Sequence, residues 1–155
     1  MSEPQPLNPD EDLVWRNLMR VCTILPRELH ADMSRAAGLL VNEYMTLMAL
    51  SEAPDRRMRM AALSREAGVS PSRMTRVVDN LQARGLVTKE TSSEDGRGNV
   101  AALTDAGFAK VREAWPTHLR SVRARAFDHI DPRDLAAMGR GLSAIAEGLG
   151  ASADF

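Results

Sequence analysis

The sequence predicts a mainly α fold with one small β-hairpin, and three neighbouring stretches carry that prediction. Ser70 can accept a hydrogen bond from the free amides of a first helical turn, Pro71 suits the first helical position, and Gly85 suits a left-handed exit. A helix is therefore framed at both ends. Upstream, Met60 to Gly68 reads as a shorter helix, and the tight Gly68-Val69-Ser70 link turns the pair into a helix-turn-helix. Downstream, Leu86 to Thr91 alternates as a strand, Ser92 to Gly98 is turn chemistry, and Asn99 to Leu103 returns as the paired strand. A hairpin placed directly after such a helix is a wing.

In chain order, Met1 to Pro9 is polar, carries three prolines and reads as a tail. A helix starts at Asp10, with Asp10, Glu11 and Asp12 where the helix dipole favours negative charge. It shows Leu13, Val14, Leu18, Val21, Leu25 and Leu29 on one side, bends at Pro26 and runs to about Ser34. Ala36 to Leu40 is a connector. Asn42 to Ala53 makes a second helix that offers Tyr44, Leu47, Met48 and Leu50 for burial, and Arg56 to Arg59 adds a short strand beside the wing. In the framed helix Met74, Val77, Val78 and Leu81 face a core, which leaves Ser72, Arg73, Thr75, Arg76 and Asp79 outside. Thr104 caps a long helix that Pro116 interrupts, with a kink expected there and the helix resuming from His118 to about His129. Asp131 caps a last helix, with Pro132 at its first position and Leu135, Met138, Leu142, Ile145 and Leu149 in one row. That row is too apolar for a terminal helix left in water, and with the first helix it has the look of a subunit interface.

At 155 residues and 44% hydrophobic content the chain is expected to form one domain over residues 1–155. No apolar run is long enough to span a bilayer, and the acidic, proline-bearing start is unlike a signal peptide, so a cytoplasmic location is expected. The single cysteine, Cys22, excludes an internal disulfide framework. His30, His118 and His129 are too scattered for a metal site, and no phosphate loop or nucleophile–base arrangement points to catalysis. Neither cofactor, metal nor enzymatic activity is expected. The formal net charge is only −1, but charge is local: from Arg56 to Arg97 nine basic residues stand against five acidic ones, a surplus of +4. Such a stretch suits double-stranded DNA.

The chain resembles the MarR family of winged-helix transcription regulators. The resemblance rests on Asp95-Gly-Arg-Gly-Asn-Val-Ala-Ala-Leu-Thr104 in the wing, supported by Gly38-Leu39 with Glu43-Tyr44, Ala62-Leu63 with Gly68, and Leu81 with Gly85-Leu86-Val87. It covers roughly Asp12 to Leu149. Leu40 stands where the family often has a small hydroxyl cap, so the capping box of the second helix is expected to be lost. The resemblance implies a winged helix-turn-helix lobe over residues 41–103, flanked by dimerisation helices over 10–35 and 104–150. It further implies a homodimer on a pseudo-palindromic operator, with repression as the family default. Ser70, Ser72, Arg73, Thr75 and Arg76 are then the candidate DNA contacts of the helix. Arg97 at the wing tip can reach a minor groove, with Asp95 holding the turn. The plainer alternative is that these arginines solvate an exposed face and that Asp95 and Arg97 stabilise a hairpin.

A small effector, aromatic or phenolic, suits a pocket lined by Trp15, Tyr44 and His118, with Arg16 and His30 as further candidates; each can equally be a packing or solvated residue. One branch of the family senses hydroperoxides through a first-helix cysteine. Cys22 has no tyrosine partners nearby in sequence, and reads instead as a buried, inert thiol. Redox sensing through Cys22, or a ligand- or partner-binding helical protein with a vestigial winged helix, are the alternatives to a ligand-released DNA-binding regulator. Methionines in the second helix and around the third read as core filler.

Overall fold

The structure, a computed structural model, describes residues 5–91 and 99–150. It forms two compact units, Met1–Ser121 and Val122–Phe155. Among the described residues the first holds α1 (Pro9–Ala37), α2 (Val41–Glu52), β1 (Arg57–Arg59), α3 (Met60–Glu66), α4 (Pro71–Ala83), β2 (Val87–Thr91) and β3 (Asn99–Leu103). They are followed by α5 (Asp105–Arg125), and the second unit carries α6 (Leu135–Gly148). No helix among the described residues is long and apolar enough to cross a membrane.

Local chemistry accounts for most helix ends. Asn8 caps α1, accepting from the Asp10 and Glu11 amides at 3.0 and 2.9 Å, while Glu11 reaches back to the Asn8 amide. This two-way box places the start at Pro9 rather than Asp10. At the other end Gly38 takes a left-handed φ of 63°, so α1 extends past Ser34 to Ala37. The expected loss at α2 is only partial. Leu40 has no side-chain acceptor, yet Glu43 Oε2 accepts from the Leu40 amide at 2.9 Å, so half of the box survives.

The first unit's core is built from the ends of its helices and the inner face of its sheet. Met33, Leu39, Tyr44, Leu47, Leu50, Leu63, Met74, Val78 and Leu81 are buried, with Val87 and Ala101 beneath them. Met74, Val77, Val78 and Leu81 are the buried face of α4, as their spacing predicts. The sheet runs in the order β1-β3-β2, antiparallel throughout, with Arg57 opposite Ala102 and Val87 opposite Leu103. Thr104 locks α5 onto this sheet: its hydroxyl accepts from the Gly107 amide at 3.0 Å and donates to Gly85 O at 2.8 Å.

Two expectations about α5 and α6 are corrected. Pro116 does not divide α5, which runs unbroken from Asp105 to Arg125, and the helix ends instead where Ala126 leaves helical geometry (φ −133°, ψ −70°). An interior proline costs roughly 3 kcal/mol. Burial of Val111 and Ala114 before it, and of Ser121 after it, offsets that cost, with Ser121 donating to Asp32 at 2.6 Å. Pro26 likewise lies inside α1 without ending it. In the second unit Asp131 does not cap α6. Its carboxylate accepts from the Arg133 amide at 2.9 Å and is gripped by the Arg133 guanidinium, closing a local turn, so α6 begins only at Leu135. That grip holds the Asp131 carboxyl below the usual carboxylate range.

Candidate nucleic-acid interface

The helix-turn-helix forms as the sequence predicts. Gly68, with φ 61°, makes the turn between α3 and α4. Ser70 caps α4 through Oγ, which lies 3.4 Å from the Arg73 amide, and Pro71 opens the helix. Ser72, Arg73, Thr75 and Arg76 are all exposed on one side of α4. Their chemistry is not equal. Thr75 donates its hydroxyl hydrogen back to Pro71 O at 3.0 Å, so toward a ligand it offers only an acceptor and a methyl group. Ser72 lies 3.3 Å from Ser70 Oγ, which makes the two hydroxyls a coupled pair at the helix entrance.

The arginines separate more sharply. Arg56 pairs with Asp105 at 3.1 Å and stacks 3.9 Å over the Phe108 ring. Arg57 pairs with Glu90 across β3, Lys89 pairs with Asp79 of α4, and Arg84 pairs with buried Glu43 at 3.1 Å. The guanidinium groups of Arg65, Arg73 and Arg76 have no such partner among the described residues. Among the described residues of the lobe, most cations are thus held within the fold, and those that are not lie on the helix-turn-helix. Arg73 and Arg76 border a groove of about 410 Å³ together with Ser72, Asn42 and Asn80. Arg65 on α3 and Asn42 on α2 were not singled out by sequence spacing. Exposed helical arginines without a carboxylate at i±3 or i±4 are the only signal that points to Arg65. Asp95 and Arg97 lie outside the described residues.

The effector candidates are only partly brought together. Tyr44 and His118 pack with ring centroids 4.7 Å apart, and Trp115 stands 6.1 Å from His118. Trp115 joins the cluster because it lies three residues before His118 on α5, a spacing visible in the sequence. The Tyr44 hydroxyl and His118 Nδ1 are buried without a hydrogen-bond partner among the described residues. Burial, with a smaller contribution from the Glu52 charge, pushes the Tyr44 pKa up to about 12, and burial lowers that of His118. Trp15 is exposed on α1 and makes no ring contact with this cluster among the described residues. Arg16 is taken by Asp12 at 2.7 Å, and His30 is exposed. Beside Trp115, a second cavity of about 310 Å³ is lined by Met48, Ser51, Val111 and Arg112. Cys22, expected to be buried, is exposed on α1.

A model of the MarR family matches residues 37–98. HTH-type transcriptional repressor Rv2887 of Mycobacterium tuberculosis is 35% identical over 97 residues, covering 63% of this chain and 68% of that protein. Sco3205, a MarR family transcriptional regulator from Streptomyces coelicolor solved in complex with DNA, superposes with a TM-score of 0.88 at 36% identity, over 96% of this chain and 93% of its own. AbsC, another MarR family transcriptional regulator from Streptomyces coelicolor, superposes with a TM-score of 0.85 at 33% identity, over 96% of this chain and all of its own. With a winged helix-turn-helix that holds Arg73 and Arg76 on its outer face, and with these relatives, the chain belongs to the MarR family of transcriptional regulators.

Proposed function

We propose that the chain is a repressor that binds a pseudo-palindromic operator as a homodimer and leaves it when a small ligand binds. The observation that carries this reading is the isolation of Arg73 and Arg76 on α4, in a lobe whose other described cations, Arg65 aside, have interactions within the fold. Cations left unpaired on a recognition helix are available for phosphates and for guanine edges. Arg65 adds a phosphate contact from α3, while Ser70, Ser72 and Thr75 set register at the helix entrance. Arg97 reaches the adjoining minor groove from the wing, with Asp95 orienting it. The DNA complex of Sco3205 supports this mode of action.

Dimerisation is supported by two rows of apolar side chains left exposed, each in its own unit. On α1 they include Leu13, Val14, Met19, Val21 and Ile24; on α6 they are Leu135, Met138, Leu142, Ile145 and Leu149. Each leucine-sized side chain that a second copy covers contributes roughly 1.5–3 kcal/mol. The dimer sets the separation of its two α4 helices, which must match a groove repeat of about 34 Å. A ligand that prefers another separation by about 3 kcal/mol shifts the equilibrium more than 100-fold. The unsatisfied Tyr44 hydroxyl and His118 Nδ1, beside an aromatic wall, support a small aromatic or phenolic ligand at this place. The protein would act in the cytoplasm, on the chromosome.

The test is a footprint on the DNA upstream of the protein's own gene, repeated with candidate phenolic and carboxylate metabolites. Two protected half-sites one helical turn apart, lost on adding a metabolite, are expected. Protection that is absent, or indifferent to sequence, would overturn the assignment.

A further inference from the structure

We infer that Glu43 is a positioning residue for DNA recognition: with Asn80 and Arg84 it fixes the rotation of α4, and so the aim of Arg73 and Arg76. The inference rests on α4 being the helix that reads the operator. Glu43 is 2% exposed and holds three donors from two directions. Oε2 accepts from the Leu40 amide at 2.9 Å and from Arg84 Nη1 at 3.1 Å, and Oε1 accepts from Asn80 Nδ2. The second Arg84 nitrogen donates to Gly38 O at 3.1 Å, at the C-terminal end of α1.

Asn80 lies in the last turn of α4 and Arg84, four residues on, is its C-cap, so the two side chains leave the end of the helix one above the other. Two donors gripping one fixed carboxylate set both the height of the helix and its rotation about its own axis. Arg73 lies seven residues before Asn80, close to two full turns, and points in nearly the same direction. At about 5–6 Å from the axis, a side chain moves about 2 Å when the helix turns by 20°. Hydrogen bonds to a base edge do not survive that displacement. Through Arg84 the same clamp holds the α1 C-terminus, so a shift of α1 is felt at α4. Glu43 lies at the floor of the groove that Arg73 and Arg76 border and is 2% exposed, with its carboxylate occupied by three donors, so its effect on recognition passes through the helix.

The test compares Glu43→Gln and Arg84→Lys with wild type in the full chain, measuring affinity for the footprinted operator and for random DNA over a range of salt. Arg84→Lys keeps the charge but removes the two-nitrogen fork that spans Glu43 and Gly38. Both variants are expected to lose about tenfold or more of the operator-to-random ratio, with the salt slope on random DNA, the helical content and the dimer unchanged. A merely structural role would lower both affinities together, in step with the folded fraction, and leave the ratio intact. A wild-type ratio in either folded variant overturns the inference, and Arg84→Lys alone decides it if Glu43→Gln does not fold. A wild-type protein that prefers no operator over random DNA overturns instead the reading on which the inference stands.

Discussion

Tyr44→Phe is expected to make the protein more stable and less responsive to its ligand at the same time. Tyr44 is 1% exposed, and its hydroxyl has no hydrogen-bond partner among the described residues. A buried hydroxyl left unpaired costs about 1–3 kcal/mol. Phenylalanine fills the same space, so no cavity opens to offset the gain, and a net stabilisation of about 1 kcal/mol is expected. For a chain of this length that raises the Tm by about 2–4 °C. Thermal denaturation must be run at fixed protein concentration, because a dimer's Tm depends on it. If the hydroxyl is kept unpaired for a ligand, its loss removes one hydrogen bond, worth about 1 kcal/mol, so release from the operator should need roughly fivefold more ligand. A lower Tm combined with an unchanged ligand response would refute this reasoning, since the hydroxyl would then already be satisfied in the resting protein.

Burial lowers the His118 pKa below its ordinary 6.5, so the unfolded chain takes up a proton that the folded chain resists. Stability is therefore complete above about pH 6.5 and declines as the pH falls below it; urea midpoints should follow that trend, and His118→Gln should flatten it. Arg73→Ala or Arg76→Ala counts twice in a dimer, so if either arginine neutralises a phosphate, its removal should make the slope of log K against log salt shallower by about 1.8. An arginine that reads a base should instead reduce discrimination when removed, and a variant pair unchanged in affinity, slope and discrimination would remove α4 from the interface. Leu142→Asp with Ile145→Asp should sediment as a monomer with weakened operator binding; a folded monomer that binds the full operator as tightly as wild type would exclude α6 from the interface. Gly107→Ala should destabilise despite alanine's helix preference of up to about 1 kcal/mol. Its Cβ would lie 2.1 Å from Leu86 O and 2.6 Å from Leu103 Cδ1, and overpacking costs about 1–3 kcal/mol; a raised Tm would show that α5 does not press on Leu86.

By itself the sequence determined the helix-turn-helix and the strands around it. The signals there are local: Gly68 and Gly85 take the left-handed φ that their turns require, Ser70 and Pro71 open α4, and a spacing of three and four puts Met74, Val77, Val78 and Leu81 inside. Asn99 to Leu103 pairs with Val87 to Thr91 as expected, because strand alternation is a signal that acts over a few residues. Only the tertiary structure decided which cations remain available. Arg56, Arg57, Arg84 and Lys89 find their carboxylates 49, 33, 41 and 10 residues away in the chain, beyond the reach of any local spacing. The same holds for the aromatic cluster, where Tyr44 meets His118 and Trp115 while Trp15, equally plausible by composition, stays exposed. Pro116 and Asp131 are the converse case, local signals overruled: buried neighbours carry α5 through its proline, and Arg133 takes the carboxylate that would have capped α6. Backbone geometry is governed by the nearest few residues, whereas charge pairing, burial and the unmet polar groups of a site depend on what the fold brings alongside.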